Sequence, residues 1–194
     1  MVVSKGASLR YRRTQGRGLV AAAAALGALV AISVSPASAG LPPAEGKCFG
    51  KQPTAFANPS GATVGTSGND VISGTAGDDV IKGKGGKDLI CGNQGDDTLK
   101  GGGRDDKLNG QGDEDTVIGG AGDDKHTGGP DDDKIRADTG NPEDEDLGKG
   151  GDGNDQINVQ DNVGNDRADG GSGENRCTSD PGDQVNRCTN VDFD

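Results

Sequence analysis

One aspartate recurs every nine residues through the centre of the chain. The period holds without an insertion for eight consecutive units between Gly65 and Arg136. The aspartates at the sixth position of these units are Asp70, Asp79, Asp88, Asp97, Asp106, Asp115, Asp124 and Asp133. A catalytic pair of carboxylates needs two different environments, whereas a repeated ion site needs many equivalent copies. The spacing therefore indicates cation binding at several equivalent positions.

Each unit begins with a glycine, and its eighth position is aliphatic in every unit but one, which has His126. The first-position glycines are Gly65, Gly74, Gly83, Gly92, Gly101, Gly110, Gly119 and Gly128. Glycine tolerates positive φ, so a turn built on it can bring its carbonyl oxygens close to an ion. We expect the backbone carbonyls near these glycines to act as further ligands.

The first six residues of a unit favour a turn and the last three favour an extended strand. Two units then complete one coil of parallel strands, which gives about 18 residues per coil. Stacked strands lie about 4.8 Å apart, so Asp79 and Asp97 would repel by roughly 3 kcal/mol. Calcium binds oxygen at about 2.3–2.6 Å, so an ion between two carboxylates spans this spacing. The pattern predicts several Ca²⁺ ions between stacked turns.

The apolar content of a unit is too small to stabilise such a coil by itself. One buried aliphatic side chain contributes about 1.5–3 kcal/mol, while ordering nine residues costs on the order of 10 kcal/mol. Aromatic residues make up only 2% of the chain, so they add little. We therefore expect the metal-free chain to be largely unfolded, with the binding energy of the ions supplying its folding energy.

The nine-residue unit resembles the RTX, or haemolysin-type, calcium-binding repeat, G-G-x-G-x-D-x-U-x with an aliphatic residue at U. The chain as a whole is similar to small secreted calcium-binding proteins of actinobacteria. The resemblance implies an all-β fold, a parallel β-roll (β-solenoid), with each ion held by sixth-position aspartates and backbone carbonyls. It extends to Asp155 and Asp166, with carbonyls near Gly150. If each contiguous turn meets the one two units on, about six interior sites follow.

Three units depart from this pattern at their fourth position. Arg104, Asp113 and Asp131 stand where the other contiguous units have glycine. A side chain is unfavourable where φ must be positive, and arginine more so than aspartate. We expect these turns to bind calcium more weakly.

The chain begins with a segment of different character. Five basic residues, an apolar run over 19–34 and small residues at Ala37 and Ala39 are typical of a secretory signal. An uncleaved anchor is the alternative, although the run is short for a bilayer span, which takes about 20 residues. The predicted segments are a signal peptide over 1–39, an N-terminal cap segment over 40–64, eight contiguous repeats over 65–136, an acidic loop insertion over 137–149, further degenerate repeats over 150–178 and a C-terminal cap with a disulfide over 179–194.

Four cysteines remain after the predicted signal. An even number in an exported protein indicates disulfides, and four cysteines allow three pairings. Closeness in sequence favours Cys177–Cys188, which leaves Cys48–Cys91 to tie the N-terminal segment to the repeats. A zinc site is the alternative, but the sequence has no CxxC motif and one histidine.

The chain is strongly acidic. Its formal net charge of −12 becomes −17 without the five basic residues of 1–39. Such a charge attracts cations and repels nucleic acid and anionic lipid. We expect calcium ions as partners, no nucleic acid and no membrane contact after signal cleavage; protein partners are left open. The expected location is extracellular, either secreted or associated with the cell surface.

These features favour a secreted, non-enzymatic calcium-binding repeat protein whose β-roll folds on meeting extracellular Ca²⁺. The alternative is a structural or adhesive surface protein that uses the calcium-stabilised roll as a spacer. An enzyme is a third interpretation, because this repeat family often follows a catalytic domain. No such domain is evident in residues 40–194. A catalytic role for His126 is disfavoured, since it occupies the eighth position, which is a core-forming aliphatic residue in the other contiguous units.

Overall fold

The computed structural model describes residues 47–58, 62–138 and 143–193. The predicted signal peptide over 1–39 lies outside these residues. Within them there is no helix, and hence none long and apolar enough to cross a membrane. Short strands alternate with turns throughout, as expected where Gly- and Asp-rich turn sequences separate brief extended segments.

The described residues form sixteen strands. In chain order these are β1 Ala55–Phe56, β2 Thr63–Val64, β3 Val71–Ser73, β4 Val80–Lys82, β5 Leu89–Asn93, β6 Thr98–Gly103, β7 Lys107–Gln111, β8 Thr116–Ala121, β9 Lys125–Gly129, β10 Lys134–Asp138, β11 Leu147–Asp152, β12 Gln156–Asn158, β13 Arg167–Ser172, β14 Arg176–Ser179, β15 Gln184–Asn186 and β16 Asn190–Phe193.

Successive strands alternate between two parallel sheets. The odd-numbered strands form one eight-stranded sheet and the even-numbered strands form the other, each in chain order. Within the contiguous repeats a residue pairs with its counterpart two units later, as Ile72 pairs with Ile90 and Ile81 with Leu99. The predicted parallel β-roll, with two nine-residue units in each coil, is therefore confirmed.

The eighth-position side chains fill the space between the sheets. Ile72, Ile90 and Leu108 from the odd-numbered sheet pack in one core with Ile81 and Leu99 from the even-numbered sheet, each with at most 1% of its surface exposed. These eighth-position side chains form one column on each sheet, which we call the core column. The core is thin because each nine-residue unit contributes one such side chain.

The break in register after β10 is shorter than the predicted loop over 137–149. Strand β10 reaches Asp138 and strand β11 begins at Leu147, so both ends of that segment are extended. The sequence separation between stacked aspartates increases across the break from 18, for Asp115 and Asp133, to 22, for Asp133 and Asp155. The strands stay paired there, as Ile135 pairs with Ile157. The repeat thus continues through the break in a longer coil.

Both ends of the roll are closed by non-repeat sequence that still pairs with the sheets. At the N-terminal end β1 and β2 extend the two sheets by pairing with β3 and β4. At the C-terminal end β15 and β16 pair with β13 and β14. The N-terminal segment is therefore more regular than its proline-rich sequence suggests.

Two disulfides attach these ends to the roll. Cys48 pairs with Cys91 of β5, and their Cα atoms are 5.6 Å apart. Cys177 of β14 pairs with Cys188, with Cα atoms 5.9 Å apart. This is the pairing favoured by sequence, and it leaves no free cysteine in the described part of the chain.

Candidate metal centre

The sixth-position aspartates form two rows, one along each edge of the roll. We call them row A, which precedes the odd-numbered strands, and row B, which precedes the even-numbered strands. Row A contains Asp70, Asp88, Asp106, Asp124, Asp146, Asp166 and Asp183, and row B contains Asp79, Asp97, Asp115, Asp133, Asp155 and Asn175. The stacking of coils brings each member of a row directly against the next.

In each row member after the first, one side-chain oxygen accepts a hydrogen bond from the preceding coil. The backbone N–H of Asp79 donates to Oδ1 of Asp97 at 2.7 Å, and that of Asp97 donates to Oδ1 of Asp115 at 2.9 Å. The same bond repeats along both rows with lengths from 2.7 to 3.1 Å. These amides offset part of the repulsion between stacked carboxylates, a contribution that sequence alone did not reveal.

The other oxygen, Oδ2, is buried without a protein donor over most of the two rows. This holds among the described residues for Asp88, Asp97, Asp106, Asp115, Asp124, Asp133 and Asp155. All seven carboxylates have at most 2% of their surface exposed. A buried carboxylate oxygen is costly unless a donor or a cation compensates it. The rows therefore present a regular series of buried anionic oxygens that call for a positive charge.

The first carboxylate of each row differs, because a threonine compensates its Oδ2. The backbone N–H and hydroxyl of Thr66 donate to Oδ2 of Asp70 at 2.7 and 3.0 Å. Thr75 does the same for Asp79 at 2.6 and 3.0 Å. The first turns of the roll thus have neutral donors where later turns have none.

First-position glycines leave room for these oxygens. A Cβ atom at Gly92 would collide with Oδ2 of Asp97 and would lie 2.7 Å from the carbonyl oxygen of Gly110. A Cβ atom at Gly101 would likewise collide with Oδ2 of Asp106 and lie 2.7 Å from the Gly119 carbonyl oxygen. Each glycine therefore adjoins a cradle formed by one carboxylate oxygen and a carbonyl oxygen from the next coil.

Burial raises the pKa of these carboxyl groups well above that of a free aspartate. The pKa rises to about 7 for Asp97, Asp106, Asp115 and Asp133 and to about 8 for Asp124. Removal from water is the main cause; the N–H bond from the preceding row member lowers the pKa, and the negative charge of neighbouring aspartates raises it further. Burial also raises the pKa of Asp88 and Asp155.

The donor set suits a hard divalent cation. No three side chains of the His, Cys, Asp or Glu type converge on one point in the described ranges, so carbonyl oxygens must complete each site. Calcium accepts carboxylate and backbone carbonyl oxygens together, in flexible geometries. The orphaned Oδ2 atoms beside carbonyl oxygens therefore fit Ca²⁺.

All ten predicted aspartates fall in these rows, which also contain two aspartates that the nine-residue pattern does not predict. Asp155 and Asp166 lie in rows B and A, and Gly150 adjoins Asp155 as first-position glycines do. The two unpredicted aspartates are Asp146 and Asp183, while Asn175 stands where the last repeat replaces the aspartate and keeps a side-chain oxygen. Asp146 lies in the predicted loop insertion, although it precedes Gly150 by four residues, the same spacing as Asp70 to Gly74. That spacing is the signal that could have identified it.

The departures at the fourth position keep the turn conformation of glycine. Arg104, Asp113 and Asp131 have φ of 75°, 71° and 75°. Gly95 and Gly122 at the same position have φ of 97° and 115°. The conformation is thus retained at a cost of roughly 1–2 kcal/mol per side chain. Weaker calcium binding by these turns stays a prediction.

His126 is buried in the core column with only 1% of its surface exposed. It lies on β9, between Leu108 of β7 and Gly148 of β11 in register. Burial lowers its pKa to about 4, while the nearby Leu147 backbone acts in the opposite direction. Neither ring nitrogen has a hydrogen-bond partner of good geometry among the described residues.

Comparison with known proteins identifies the repeat. A family model, the RTX calcium-binding nonapeptide repeat in four copies, matches residues 64–99 and 92–125. No curated protein and no solved structure matches the chain. The matched residues contain the carboxylates, glycines and buried aliphatic column described above. Over residues 64–125 the chain is therefore built of RTX calcium-binding nonapeptide repeats, and Ca²⁺ is the ion that these repeats bind.

Proposed function

We propose that this is a secreted calcium-binding protein whose roll folds when it meets extracellular Ca²⁺. The observation that carries the proposal is the series of buried Oδ2 atoms without protein donors in rows A and B. Each such oxygen must be compensated by a proton or a cation for the coil to be stable at neutral pH. Extracellular calcium would supply that charge.

The residues assigned to each ion come from two coils. In the cradle beside Gly92, Oδ2 of Asp97 and the carbonyl oxygen of Gly110 would bind the same ion. In the cradle beside Gly101, Oδ2 of Asp106 and the Gly119 carbonyl would do so. Because each ion then joins successive coils, ion binding and coil stacking are one process.

The proposal assigns no catalytic step to the protein. The buried carboxylates are copies of one another in nearly identical surroundings, with pKa values raised in the same direction. Acid–base catalysis by carboxylates uses groups whose environments separate their pKa values. The rows are better suited to binding a series of identical ions.

The N-terminal segment supports export. The basic start, apolar run and small residues of 1–39 are those of a secretory signal. Disulfides such as Cys48–Cys91 persist in oxidising compartments, which is consistent with an extracellular location. A chain that stays unfolded at low intracellular calcium would also suit transport before folding.

A calcium titration followed by far-UV circular dichroism tests this proposal. We expect the oxidised protein to have an unfolded spectrum in excess chelator at pH 8 and a β spectrum after Ca²⁺ is added. Mg²⁺ at the same concentration serves as the control, since it requires stricter geometry and retains its water. A β spectrum that is unchanged by chelator would contradict calcium-dependent folding.

One surface favours the second candidate, a structural or adhesive role. The outer side of the even-numbered sheet carries four exposed cations, which we call the basic face: Lys82, Lys100, Lys134 and Arg136; Arg176 of β14 is paired with Asp192 of β16. No acidic residue flanks the buried column on strands β4, β6, β8, β10, β12 and β14. An acidic molecule, such as an anionic cell-surface polymer, would be attracted to this face.

A further inference from the structure

The single histidine of the chain is placed against one of the metal cradles. A Cβ atom at Gly119 would meet three polar atoms within 2.6 Å, namely Nε2 of His126, Oδ2 of Asp124 and the carbonyl oxygen of Ala137. The three atoms therefore surround the same side of the Gly119 backbone. Two of them come from one repeat and the third comes from the next coil of the roll.

The equivalent cradle at Gly65 shows what His126 changes. There a Cβ atom would lie 2.6 Å from the Gly83 carbonyl oxygen, 2.8 Å from Oδ2 of Asp70 and 3.3 Å from Cδ1 of Ile72. The carboxylate and carbonyl oxygens are common to both cradles. At Gly119 the imidazole nitrogen replaces the methyl group of the eighth-position side chain.

Both side-chain donors at Gly119 are buried and lack hydrogen bonds of good geometry within the described residues. His126 is 1% exposed and Asp124 is fully buried. By this criterion neither ring nitrogen of His126 nor Oδ2 of Asp124 is paired, so the two do not bond to each other; the Leu147 backbone is the polar group that acts on the imidazole. A buried polar atom without a partner costs about 1–3 kcal/mol, so two such groups side by side require an explanation.

The donor chemistry distinguishes this cradle from the others. Calcium takes oxygen ligands, and the cradles at Gly92 and Gly101 offer a carboxylate oxygen and a carbonyl oxygen. Imidazole nitrogen combined with carboxylate and carbonyl oxygen suits zinc and its transition-metal neighbours. A three-donor set from the protein leaves a further position for water.

We propose that His126 Nε2, Asp124 Oδ2 and the Ala137 carbonyl oxygen form a separate site for a transition-metal ion of the zinc class. The site uses the same cradle geometry as the proposed calcium sites, and because its donors come from two stacked coils it forms only in the folded roll. It would bind one ion per chain, since only one repeat has a histidine. An ion at this site would join the coil of β9 to the following coil.

Zinc titration of the calcium-saturated, tag-free full chain tests the proposal. We expect calorimetry to detect one Zn²⁺ per chain that Ca²⁺ in large excess does not displace. Because the protein has one histidine, nitrogen NMR of the imidazole would show a single ring signal that shifts with this equivalent of Zn²⁺. Co²⁺ would give the visible absorption of a nitrogen- and oxygen-ligated ion.

The decisive variant is His126→Leu, which restores the residue type of the column and so is expected to fold. It should weaken Zn²⁺ binding by more than about 100-fold, because loss of even an outer-shell partner costs 10–100-fold. Asp124→Asn should weaken it as well. Asp123→Asn is the matched control, since Asp123 is exposed and adjacent, and it should bind Zn²⁺ as the wild type does.

Three results would overturn the proposal: no Zn²⁺ equivalent on the folded wild type, Zn²⁺ binding retained by His126→Leu, or equal loss in Asp123→Asn. The calcium stoichiometry of His126→Leu distinguishes failure of the zinc site from failure of the proposed calcium-binding function. A variant that keeps its calcium-dependent circular dichroism transition while losing zinc supports two distinct kinds of site. A wild type that folds without calcium but binds zinc through His126 contradicts only calcium-dependent folding.

Discussion

At the scale of single residues, the position of a glycine in the stack determines how much a substitution there would destabilise the fold. Gly77 and Gly95 both occupy the fourth position of their units. A Cβ atom at Gly77 would have no neighbour within 4 Å, whereas one at Gly95 would lie 2.5 Å from the carbonyl carbon of Gly77. Gly95 also has a φ of +97°, while Gly77 has no positive φ. The repeat pattern treats the two glycines as equivalent, but the fold does not.

We expect Gly95→Ala to destabilise the calcium-loaded protein by more than about 2 kcal/mol, through positive-φ strain and collision with the coil below. Gly77→Ala should be neutral or stabilising by up to about 1 kcal/mol, because alanine restricts the unfolded chain. Urea unfolding at fixed Ca²⁺ measures both variants. Equal losses in the two variants would show that stacking does not distinguish these positions.

The raised pKa values of the buried carboxyls predict how pH acts on the protein. The folded, metal-free form binds protons up to about pH 7 at Asp97, Asp115 and Asp133, whereas an unfolded aspartate releases its proton near pH 4. The stability from these groups is therefore greatest below about pH 4 and is lost as pH rises through about 7. Calcium must displace these protons at lower pH.

We expect each such site to bind Ca²⁺ about tenfold more tightly at pH 8 than at pH 6, with proton release at the lower pH. Calcium titrations at the two pH values measure the affinity. Calorimetry in two buffers of different ionisation enthalpy counts the protons. An affinity that does not change over this interval would mean that the buried carboxyls are already ionised at pH 6.

At the scale of the element, the two carboxylate oxygens of a row aspartate have different contacts. One accepts a backbone hydrogen bond, and the other faces the glycine cradle. Oδ1 of Asp97 accepts the Asp79 N–H and thereby continues the sheet beyond the end of the strand. Oδ2 of Asp97 faces the Gly92 cradle without a protein donor. The adjacent Asp96 is exposed, and its Oδ1 accepts the N–H of Glu114 at 3.2 Å. Asp97 is thus both a structural residue and a proposed ligand, whereas Asp96 is structural alone.

Asp97→Asn should keep the Oδ1 bond but remove the anionic ligand. We expect it to lose about one Ca²⁺ per chain and to raise the calcium concentration needed for folding by roughly tenfold or more, the effect of one charged ligand. Asp96→Asn is the matched control and should leave both quantities near those of the wild type. Calcium stoichiometry by calorimetry, together with the circular dichroism midpoint, distinguishes the two variants. Identical behaviour would exclude the buried oxygen as a ligand.

At the scale of the whole molecule, one sheet carries a basic surface although the protein is acidic. The acidic rows and their neighbours lie along the turns, while the basic face covers the outer side of the even-numbered sheet. Lys82 pairs in register with Lys100, and both are exposed. The net charge of −12 therefore conceals a positively charged surface. The expectation that the molecule repels anions was based on net charge and stays untested for this face.

We predict that the calcium-loaded protein is retained by an anionic polysaccharide resin at low ionic strength, because the basic face remains when ions neutralise the turns. Reversing Lys82 and Lys100 to glutamate should abolish retention. Reversing Lys107 and Lys125, an exposed register pair on the other sheet, is the matched control. Equal loss from both pairs would indicate attraction by overall charge instead of this face.

The sequence alone was sufficient for the fold class because its period is itself geometric. A turn and a short strand in each unit close a coil in two units, so the pairing of Ile72 with Ile90 follows from counting. The identity of most row members follows for the same reason. The pattern missed Asp146, where Gly148 occupies the position of an aliphatic residue, and Asp183, which lies in the predicted C-terminal cap.

Only the tertiary structure decided what each carboxylate oxygen contacts. Spacing places Asp97 above Asp79, but it cannot show that a backbone N–H already occupies Oδ1 or that Thr75 serves Oδ2 of Asp79. Nor can it show that His126 adjoins the cradle of Gly119. The repeat length in the sequence determines which residues stack, because residues one coil apart lie above each other. The direction of each polar atom depends on how neighbouring coils pack, which no single repeat contains.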